Sequence, residues 1–264
     1  MKVTVFTSNQ PRHLALINRI AAVCDQVFAI HESTTVFPGQ VADFYRKSAV
    51  MQDYFGRVTA AERAVFGPIA FTPRNSRSLV LRAGDINLVQ LSVLTEALEA
   101  DYYIVFGASY IRPPLVDLLL ERRALNIHMG VSPYYRGNSC NFWALADGNP
   151  ELVGATIHLL SKGLDSGAML FHALPQREAV DPFVFGMRAV EAAQAALVRT
   201  LADGSIRPLA PVPQDRDREI RYSRSADFTD EVAAQYLARC LTSADLAAQL
   251  AAAPRREFLR PIIS

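Results

Sequence analysis

The amino-acid sequence predicts an α/β protein built on a doubly wound, mostly parallel twisted sheet, with a small helical appendage at its C-terminal end. Apolar runs of strand length alternate with stretches of helical periodicity, as they do in proteins with parallel sheets. The chain opens with such a unit: a strand at 2–6, a helix at 12–23 and a strand at 27–30. Half of the 264 residues are hydrophobic, which is enough for a sizeable core.

The elements that follow keep this alternation up to the middle of the chain. Aromatic and aliphatic residues at helical spacing predict a long helix or helix pair over 38–66. A strand with its turn is expected at 78–86 and a helix at 89–99. The strongly apolar run 102–106 predicts a buried strand. A pair of prolines then begins a helix over 113–121, since proline is tolerated in the first helical turn.

The second half of the chain predicts a hairpin followed by helices. Strands at 154–160 and 168–174 flank a turn that contains glycine at both ends. A polar linker at 214–219 marks a boundary. We therefore expect a principal domain at 1–204 and a linker with a short helical region at 205–264. Helices are expected at three further stretches: 142–146, 182–201 and 230–252.

Charge and cysteine content exclude several classes of function. The chain has 27 Lys and Arg against 26 Asp and Glu, so a net charge of +1 gives no global support for binding nucleic acid. Cys24, Cys140 and Cys240 are too widely spaced for a disulfide framework or a zinc motif. The first residues lack the features of a secretory signal, and no apolar run reaches the roughly 18 residues that span a membrane. We expect a cytoplasmic protein with no nucleic-acid or membrane partner.

A stretch in the middle of the chain carries the candidate chemistry. In the predicted strand that ends at His128, Asn126 and His128 alternate with apolar residues and so share one face. The segment after it has the composition of a fixed, irregular loop. Gly130 permits a positive φ, Pro133 fixes its own φ, and Gly137 permits a second tight turn. Ligands bind at such strand ends in open α/β sheets.

Four segments together resemble the signature of the folate-dependent formyltransferases. They are Asn126-Ile127-His128, Tyr134-Tyr135-Arg136-Gly137, the strand Gly154-Ala155-Thr156-Ile157-His158 and the turn Gly163-Leu164-Asp165-Ser166-Gly167. The resemblance is strong over 102–174, and the overall layout is most like the sugar-nucleotide N-formyltransferase branch. It implies a Rossmann-like formyltransferase fold, 10-formyltetrahydrofolate as the formyl donor and a primary amine as the acceptor.

The residue types suit this reaction. Moving a formyl group from a folate nitrogen to an amine passes through a tetrahedral carbon that bears an oxyanion, which needs hydrogen-bond donors and a base for the amine proton. Asn126 and His128 can supply the donors. Asp165 can orient and charge His128, or can take the proton directly or through water. The resemblance assigns catalysis to the same three residues.

The resemblance also implies which residues contact folate. The loop after His128 occupies the position of the family's folate-contacting segment, although the usual Ser-Leu-Leu-Pro is replaced here and only its proline is kept. Backbone further upstream and the turn that contains Asp165 contribute as well. The full set is Tyr110, Ile111, Gly130, Val131, Ser132, Pro133 and Gly163.

The acceptor is predicted to be the amino group of a nucleotide-linked amino-deoxysugar made for surface polysaccharide such as O-antigen. Its nucleotide is expected to lie across Asn9, Arg12, Arg136 and Asn138, with the amine toward His128. Arg12 is equally well explained as a surface residue of a first helical turn. The alanine-rich C-terminal helix could form a homodimer interface. Methionyl-tRNA and hydroxyornithine are alternative acceptors.

A function of a different class is that of a metal-dependent hydrolase. His128, His158, His172 and Asp165 have side chains that bind metal ions. The chain contains no compact ligand motif, so we expect no metal. We interpret His158 and His172 as structural residues, since neither lies in a motif of its own.

Three more residues near the central stretch have a role that the sequence leaves open. Cys140 could act as a nucleophile, but it has no local signature for this and is expected to pack. Tyr135 and Trp143 either line the acceptor pocket or belong to the core.

Overall fold

A computed structural model describes residues 1–37, 40–41, 43 and 48–264 of the protein. Within them, strands and helices alternate along the chain. The strands are β1 (Lys2–Ser8), β2 (Gln26–Ser33), β3 (Ser76–Arg82), β4 (Tyr102–Phe106), β5 (Leu125–His128), β6 (Tyr135–Gly137), β7 (Ala155–Leu159), β8 (Met169–Leu174), β9 (Arg221–Ser223) and β10 (Ile262–Ile263). The α-helices are α1 (Pro11–Ala21), α2 (Ala49–Phe66), α3 (Leu115–Glu121), α4 (Cys140–Ala146), α5 (Pro182–Ala202), α6 (Asp230–Ala238) and α7 (Ser243–Ala252).

Eight strands of the described chain form one sheet, in the order β10-β8-β7-β5-β4-β1-β2-β3. Neighbouring strands are parallel except at β7, which runs antiparallel to β5 and to β8. This arrangement confirms the predicted mostly parallel α/β fold, and the predicted hairpin supplies the antiparallel strand. Because β1, β4 and β5 are parallel neighbours, their carboxyl ends meet at one edge of the sheet, where ligands bind in such folds.

Helices cover both faces of this sheet because its central strands are apolar on both sides. On one face, Val3 of β1 lies in the same buried cluster as Leu16 and Ile17 of α1. On the other face, Phe6 of β1 lies in a cluster with Leu119 of α3. Among the helices that the structure describes, none combines the length and the apolar character needed to cross a membrane.

Helix α2 is shorter than the helix predicted over 38–66. It begins at Ala49, and the side chain of Ser48 caps it by accepting a hydrogen bond from a backbone N–H of the first turn at 3.2 Å. Residues 40, 41 and 43 are not helical. The part of the prediction that falls on 38, 39, 42 and 44–47 lies outside the described residues.

The helix predicted over 89–99 is wrong as a single helix. The chain forms three short 3₁₀ turns in this region: Asp85–Leu88, Leu91–Leu94 and Ala97–Glu99. The Thr95 hydroxyl donates a hydrogen bond to the Ser92 carbonyl at 2.9 Å. Such local side-chain bonds compete with α-helical bonding, which explains part of the difference.

The C-terminal region contributes strands as well as the predicted helices. β9 pairs with β6, and β10 pairs with β8 at the end of the main sheet. Tyr236 of α6 and Leu246 of α7 are buried in an aromatic-rich cluster with Tyr54 of α2. Residues 205–264 are therefore built into the body of the protein, and a domain division after residue 204 stays a prediction.

Candidate active site

Asn126, His128 and Asp165 come together although the turn that carries Asp165 lies far along the chain from β5. His128 Nδ1 lies 3.2 Å from Asp165 Oδ1. Asn126 Nδ2 lies 3.3 Å from the same oxygen. Strand alternation places Asn126 and His128 on one face of β5, and the β7–β8 hairpin brings Asp165 onto that face. The structure thus assembles the three residues predicted to be catalytic into one cluster.

The turn that carries Asp165 is held in one conformation. Asp165 itself has a positive φ of 46°. A Cβ at Gly167 would lie 1.7 Å from the Leu159 carbonyl oxygen, so only glycine fits there. From the predicted linker, Gln214 Nε2 donates hydrogen bonds to the carbonyl oxygens of Asp165 and Gly167 at 2.8 and 2.9 Å. These contacts fix the Asp165 carboxylate toward β5.

The contacts of His128 favour a charged imidazole ring. Nδ1 faces the Asp165 carboxylate, and Nε2 lies 3.3 Å from the Tyr135 carbonyl oxygen, which can only accept. Both ring nitrogens are then donors, as in an imidazolium. Burial alone would lower the pKa of His128, but the Asp165 carboxylate and then Cys140 raise that pKa well above its ordinary value. Burial would raise the pKa of Asp165, but the charge of His128 holds it below its ordinary value.

His158 adjoins this pair, a contact that only the antiparallel pairing of the hairpin could have indicated from the sequence. Asn126 lies opposite His158 in the β5–β7 ladder, and its Nδ2 is 3.0 Å from His158 Nε2. His158 Nδ1 is 2.7 Å from the Leu159 carbonyl oxygen, so Nδ1 carries the proton and Nε2 accepts. Burial, followed by the charge of His128, lowers the pKa of His158 to about 4. The ring is therefore neutral at pH 7.

The side-chain amide of Asn126 has a fixed orientation. Its two N–H groups point to His158 Nε2 and to Asp165 Oδ1. The reverse orientation would set the amide oxygen against two acceptors. An N–H becomes available for a ligand oxygen when the 3.3 Å bond to Asp165 opens. Binding of a ligand oxygen by this N–H is thus coupled to the contact with Asp165.

The three residues line a cavity of about 670 Å³ at the carboxyl edge of the sheet. The loops after β1, β4 and β5 and the β7–β8 turn form its walls. The Tyr110 hydroxyl donates a hydrogen bond to the Lys162 carbonyl, which joins the loop after β4 to the β7–β8 turn. The predicted ligand-binding residues that line the cavity are Tyr110, Ile111 and Gly163 of the folate set and Arg12 and Asn138 of the acceptor set.

Two polar residues fix the loop after β4. The carboxylate of Glu32, at the end of β2, accepts a hydrogen bond from the Ser109 N–H at 2.5 Å. Asn87 donates to the Tyr110 carbonyl at 2.9 Å and accepts from the Arg112 N–H at 2.8 Å. The loop after β4, which is predicted to contact folate, is thus held in place by the end of β2 and by the turn that contains Asn87.

Four residues of the predicted folate set do not line the cavity and are buried behind it. Thr156 holds this segment by donating to the Gly130 carbonyl at 2.7 Å and accepting from the Ser132 N–H at 2.8 Å. Their placement does not support the predicted contact with folate. The departure from Ser-Leu-Leu-Pro falls in this packed segment. The four residues are Gly130, Val131, Ser132 and Pro133.

Gly130 is required for a different reason from the predicted one. Its φ is not positive, but a Cβ there would lie 2.6 Å from His128 Nε2 and 2.6 Å from Cys140 Cβ. The glycine leaves room for the imidazole ring. Gly137, in contrast, has the predicted positive φ, at 88°, and a Cβ there would lie 2.0 Å from the Ser223 carbonyl oxygen.

Two residues of the predicted acceptor set lie outside the main cavity. The Asn9 amide pairs with the backbone of Thr34, donating to its carbonyl and accepting from its N–H, both at 2.9 Å. Arg136 is buried, forms an ion pair with Glu219 at 2.8 Å and lines a separate cavity of about 340 Å³. Arg12, in contrast, is at the main cavity. The structure does not bring Asn9 and Arg136 to the site.

Of the four residues considered as metal ligands, His128, His158 and Asp165 are neighbours, whereas the two ring nitrogens of His172 are engaged elsewhere. His172 Nε2 donates to the Ser132 carbonyl at 2.8 Å, and its Nδ1 accepts from the Leu259 N–H at 2.9 Å, so both nitrogens are in use. Within the described ranges, no group of three or more His, Cys, Asp and Glu side chains could hold a metal ion. This geometry does not support the hydrolase alternative.

The three residues whose role the sequence left open are all buried, and they differ in whether they line the main cavity. Tyr135 and Trp143 are 1% and 7% exposed, belong to the core and do not line the main cavity. Cys140 is also buried, but it lines the cavity with its Sγ 3.6 Å from His128 Nε2. Packing therefore explains the two aromatic residues, whereas Cys140 borders the site.

Comparisons with known proteins link the sequence to one family. Residues 61–181 match the family model described as formyl transferase. A curated relative, methionyl-tRNA formyltransferase of Synechococcus sp. (strain JA-3-3Ab), is 34% identical over 124 residues, which are 47% of this chain and 38% of that protein. The chain thus spans about two fifths of the length of the first curated relatives that it matches.

Solved structures share the fold. A sugar N-formyltransferase from Shewanella sp. FDAARGOS_354 has a TM-score of 0.53 at 18% identity, over 86% of this chain and 78% of that one. The formyltransferase PseJ from Anoxybacillus kamchatkensis has a TM-score of 0.51 at 15% identity, over 95% of this chain and 97% of that one. At these identities the likeness concerns the fold alone.

Proposed function

We propose that this chain, whose residues 61–181 match the formyl transferase family model, is a folate-dependent formyltransferase that transfers the formyl group of 10-formyltetrahydrofolate to an amine of a small acceptor molecule. One observation carries the proposal. Asn126 and His128 lie within 3.2 to 3.3 Å of one Asp165 oxygen in a cavity at the carboxyl edge of the sheet. A charged donor beside an ionised carboxylate is what acyl transfer to an amine requires.

The cavity fits the proposed formyl donor. Ile111, Val116 and Leu160 give part of its lining an apolar character suited to a flat ring system. Tyr110, Ile111 and Gly163 would hold the donor along the loop after β4 and the β7–β8 turn. When bound, 10-formyltetrahydrofolate supplies the formyl carbon.

The three polar residues would divide the work of the transfer. His128 carries an N–H at Nε2 that faces the Tyr135 carbonyl at 3.3 Å and Cys140 Sγ at 3.6 Å. Both contacts are long, so this N–H can turn to a carbonyl oxygen that gains negative charge. Asn126 can donate to the same oxygen once it releases Asp165. The Asp165 carboxylate, kept ionised by His128, can then take the proton that the attacking amine loses.

The proposed acceptor is a nucleotide-linked amino-deoxysugar of the kind used for surface polysaccharide. The solved PseJ structure is described as a complex with UDP-4,6-dideoxy-4-formamido-L-AltNAc and tetrahydrofolate, and its fold extends over 95% of this chain. Polar residues from the loops after β1 and β2, among them Gln10, Arg12 and Thr34, line one part of the main cavity. Such a lining suits a hydroxyl-rich molecule.

Methionyl-tRNA is the second candidate acceptor. The observation in its favour is the 34% identity to a curated methionyl-tRNA formyltransferase over 124 residues. The net charge of +1 does not favour a nucleic-acid substrate. Direct comparison of the two acceptors decides between them.

The test is formyl transfer from 10-formyltetrahydrofolate to a panel of acceptors, read as release of tetrahydrofolate and as acceptor mass. The panel contains UDP- and dTDP-linked amino-deoxysugars, hydroxyornithine, methionyl-tRNA and a reaction without acceptor. A formyl group gained by a sugar nucleotide is the expected result, and one gained by methionyl-tRNA alone would support the second candidate. Release without acceptor would show hydrolysis. A protein that binds no folate would contradict the proposal.

A further inference from the structure

His13 is a buried histidine at the main cavity that none of the preceding roles includes. It lies in the first turns of α1, is 2% exposed and lines the cavity. Its ring stacks on that of Phe106 with centroids 4.7 Å apart. A Cβ at Gly107 would lie 2.3 Å from His13 Cε1, so the glycine creates the space that the ring occupies. The ring is thus built into the end of β4.

The hydrogen bonds of His13 determine which nitrogen carries the proton. The Thr7 hydroxyl donates its hydrogen to the Phe106 carbonyl at 2.8 Å. The same hydroxyl oxygen lies 2.7 Å from His13 Nδ1, so it must accept there, and Nδ1 bears the hydrogen. Burial and then the charge of Arg12 hold the pKa of His13 well below its ordinary value. His13 is therefore neutral, with a lone pair on Nε2.

Among the described residues, the side-chain hydrogen bond of His13 is made by Nδ1, and none is made by Nε2. His31, on the neighbouring strand, offers a contrast, because its Nδ1 lies 2.9 Å from the Ser8 carbonyl and its Nε2 3.5 Å from the Ser78 hydroxyl. His31 does not line the cavity. Because His13 Nε2 has no partner and is not one of the fully buried unpartnered atoms, it is open to the cavity, where water or a ligand group can donate to it.

The position of His13 separates it from the reacting centre. It lies in α1, which follows β1 directly, and β4 stands between β1 and β5, which carries His128. Two strand spacings place the two histidines on the order of 10 Å apart. A group bound at His13 is therefore several bonds away from an amine at His128. Gln10 and Arg12, from the same stretch of chain as His13, line the cavity together with Thr34. The ring also packs on Gly107, at the start of the loop after β4, so the test separates a contact with the acceptor from one with the formyl donor.

We propose that His13 Nε2 accepts a hydrogen bond from a hydroxyl or amide N–H of the formyl acceptor and so selects acceptors that carry such a donor at a distance from the reacting amine. The inference rests on the proposed function and adds a specificity-determining residue to it. Thr7, Phe106 and Gly107 hold the ring for this contact.

The test compares His13→Phe with the parent in steady-state formyl transfer to UDP- and dTDP-linked 4-amino-4,6-dideoxyhexoses. The phenyl ring keeps the stacking on Phe106 and leaves the Thr7 bond to the Phe106 carbonyl in place. We expect KM for the sugar nucleotide to rise about tenfold, since one hydrogen bond to the ligand is lost, while KM for 10-formyltetrahydrofolate changes less than about twofold. His31→Phe is the matched control and is expected to leave both KM values unchanged.

Acceptor analogues with one hydroxyl replaced by hydrogen identify the group that is bound. For the analogue that lacks this group, parent and His13→Phe should show equal KM. The ¹⁵N resonance of His13 Nε2 in the parent gives a second measurement that does not depend on the variant folding. Its chemical shift should change when the sugar nucleotide is added and should remain the same when the formyl donor alone is added.

Two results would overturn the role of His13. One is an active parent whose Nε2 resonance and acceptor KM are insensitive to the sugar nucleotide and to the substitution. The other is an effect on KM for 10-formyltetrahydrofolate alone, which would place His13 at the donor. A parent that formylates no acceptor would instead contradict the proposed function.

Discussion

At the scale of single residues, the site depends on an ion pair that water scarcely reaches. The His128 and Asp165 side chains are 5% and 12% exposed, and each holds the other in its charged form. A buried charge that loses its partner is strongly disfavoured, so neither group can be neutralised without consequences for the other. The pair therefore titrates as a unit.

Replacing Asp165 by Asn should leave His128 buried without its counter-ion. The pKa of His128 would then fall below its ordinary value of 6.5, because burial is the largest influence on it and disfavours the charged ring. We expect a neutral His128 at pH 7 in ¹⁵N NMR and a loss of about 10²–10⁴-fold in kcat for formyl transfer. His172, with a pKa of about 4 that depends on neither residue of the pair, serves as an internal reference that stays neutral. A variant with His128 still charged at pH 7 would contradict this account.

The same pair should give the free energy of unfolding a defined pH dependence. The raised pKa of His128 stabilises the fold fully below its unfolded value of 6.5, and this contribution is lost as pH rises through the folded pKa. The lowered pKa of Asp165 stabilises the fold fully above 3.8, and this contribution is lost as pH falls through the folded pKa. The difference between parent and Asp165→Asn in urea denaturation should therefore be largest between these two values. A difference independent of pH would show that the pair is not ionised.

Gly130→Ala tests the packing against the imidazole ring. The new Cβ would lie 2.6 Å from His128 Nε2, so the ring or the Cys140 side chain must move. We expect a loss of about 1–3 kcal/mol in the free energy of unfolding, as for other overpacked cores, and a lower kcat. Gly186→Ala in α5 is the matched control, because a Cβ at Gly186 would have no atom within 4 Å outside its own helical turn. That variant should be as stable as the parent or up to about 1 kcal/mol more stable, with unchanged kcat.

At the scale of elements, the polar segment that the sequence marks as a linker supports the catalytic turn. Residue 212 forms a β-bridge with Met169 at the start of β8. This bridge positions Gln214, whose amide holds the backbone carbonyls of Asp165 and Gly167. The carboxylate is thus oriented by a residue that does not line the main cavity.

Gln214→Leu removes both hydrogen bonds to the turn while keeping most of the side-chain volume. We expect a loss of about 1–3 kcal/mol in the free energy of unfolding for two bonds, a reduced kcat and a lower pKa of His128, since Asp165 would be less well placed. Gln26→Leu is the matched control. Gln26 Nε2 also donates to two backbone carbonyls, of Val27 at 3.2 Å and Asn75 at 2.7 Å, but far from the cavity. It should lower stability without any change in the pKa of His128; equal effects of both variants on that pKa would rule out a positioning role.

Elements with strong periodicity could be predicted from the sequence, and weakly patterned ones could not. β1, α1 and β4 repeat apolar residues with the period of their structure, so local sequence determines them. β10 is two residues long and exists because β8 offers an unpaired edge, which is a tertiary cause. β9 likewise depends on β6. Strands of two or three residues are too short to show an alternation of apolar and polar residues, so the sequence alone does not predict them.

The candidate site shows the same division between local and tertiary causes. Asn126, His128 and Asp165 lie in recognisable motifs, and their convergence follows from strand alternation and a hairpin. His13 and Gln214 stand in no motif. They reach the site through the stacking on β4 and the bridge to β8, so only the fold reveals them.

At the scale of the whole molecule, the C-terminal segment is joined to the active-site loop through one histidine. The Leu259 N–H donates to His172 Nδ1, and His172 Nε2 donates to the carbonyl of Ser132, in the segment packed behind His128. Further along, the Ser264 N–H donates to the Leu174 carbonyl at 3.1 Å. A neutral His172 is needed in this chain of contacts, and its pKa of about 4, lowered chiefly by burial, meets that need.

Deleting residues 259–264 should therefore weaken both the fold and the site. The hydrogen bonds of this segment to β8 and to His172 are worth about 0.5–1.5 kcal/mol each, so we expect a loss of several kcal/mol in the free energy of unfolding, together with a lower kcat. His172→Phe should also lower kcat, because it removes the hydrogen bond to the Ser132 carbonyl and so loosens the segment packed behind His128. If the segment acts on the site through His172, the combined variant should lose less activity than the product of the two separate losses. Urea denaturation run beside the kinetics gives the folded fraction, and strictly multiplicative losses in kcat would show that the segment and His172 act independently.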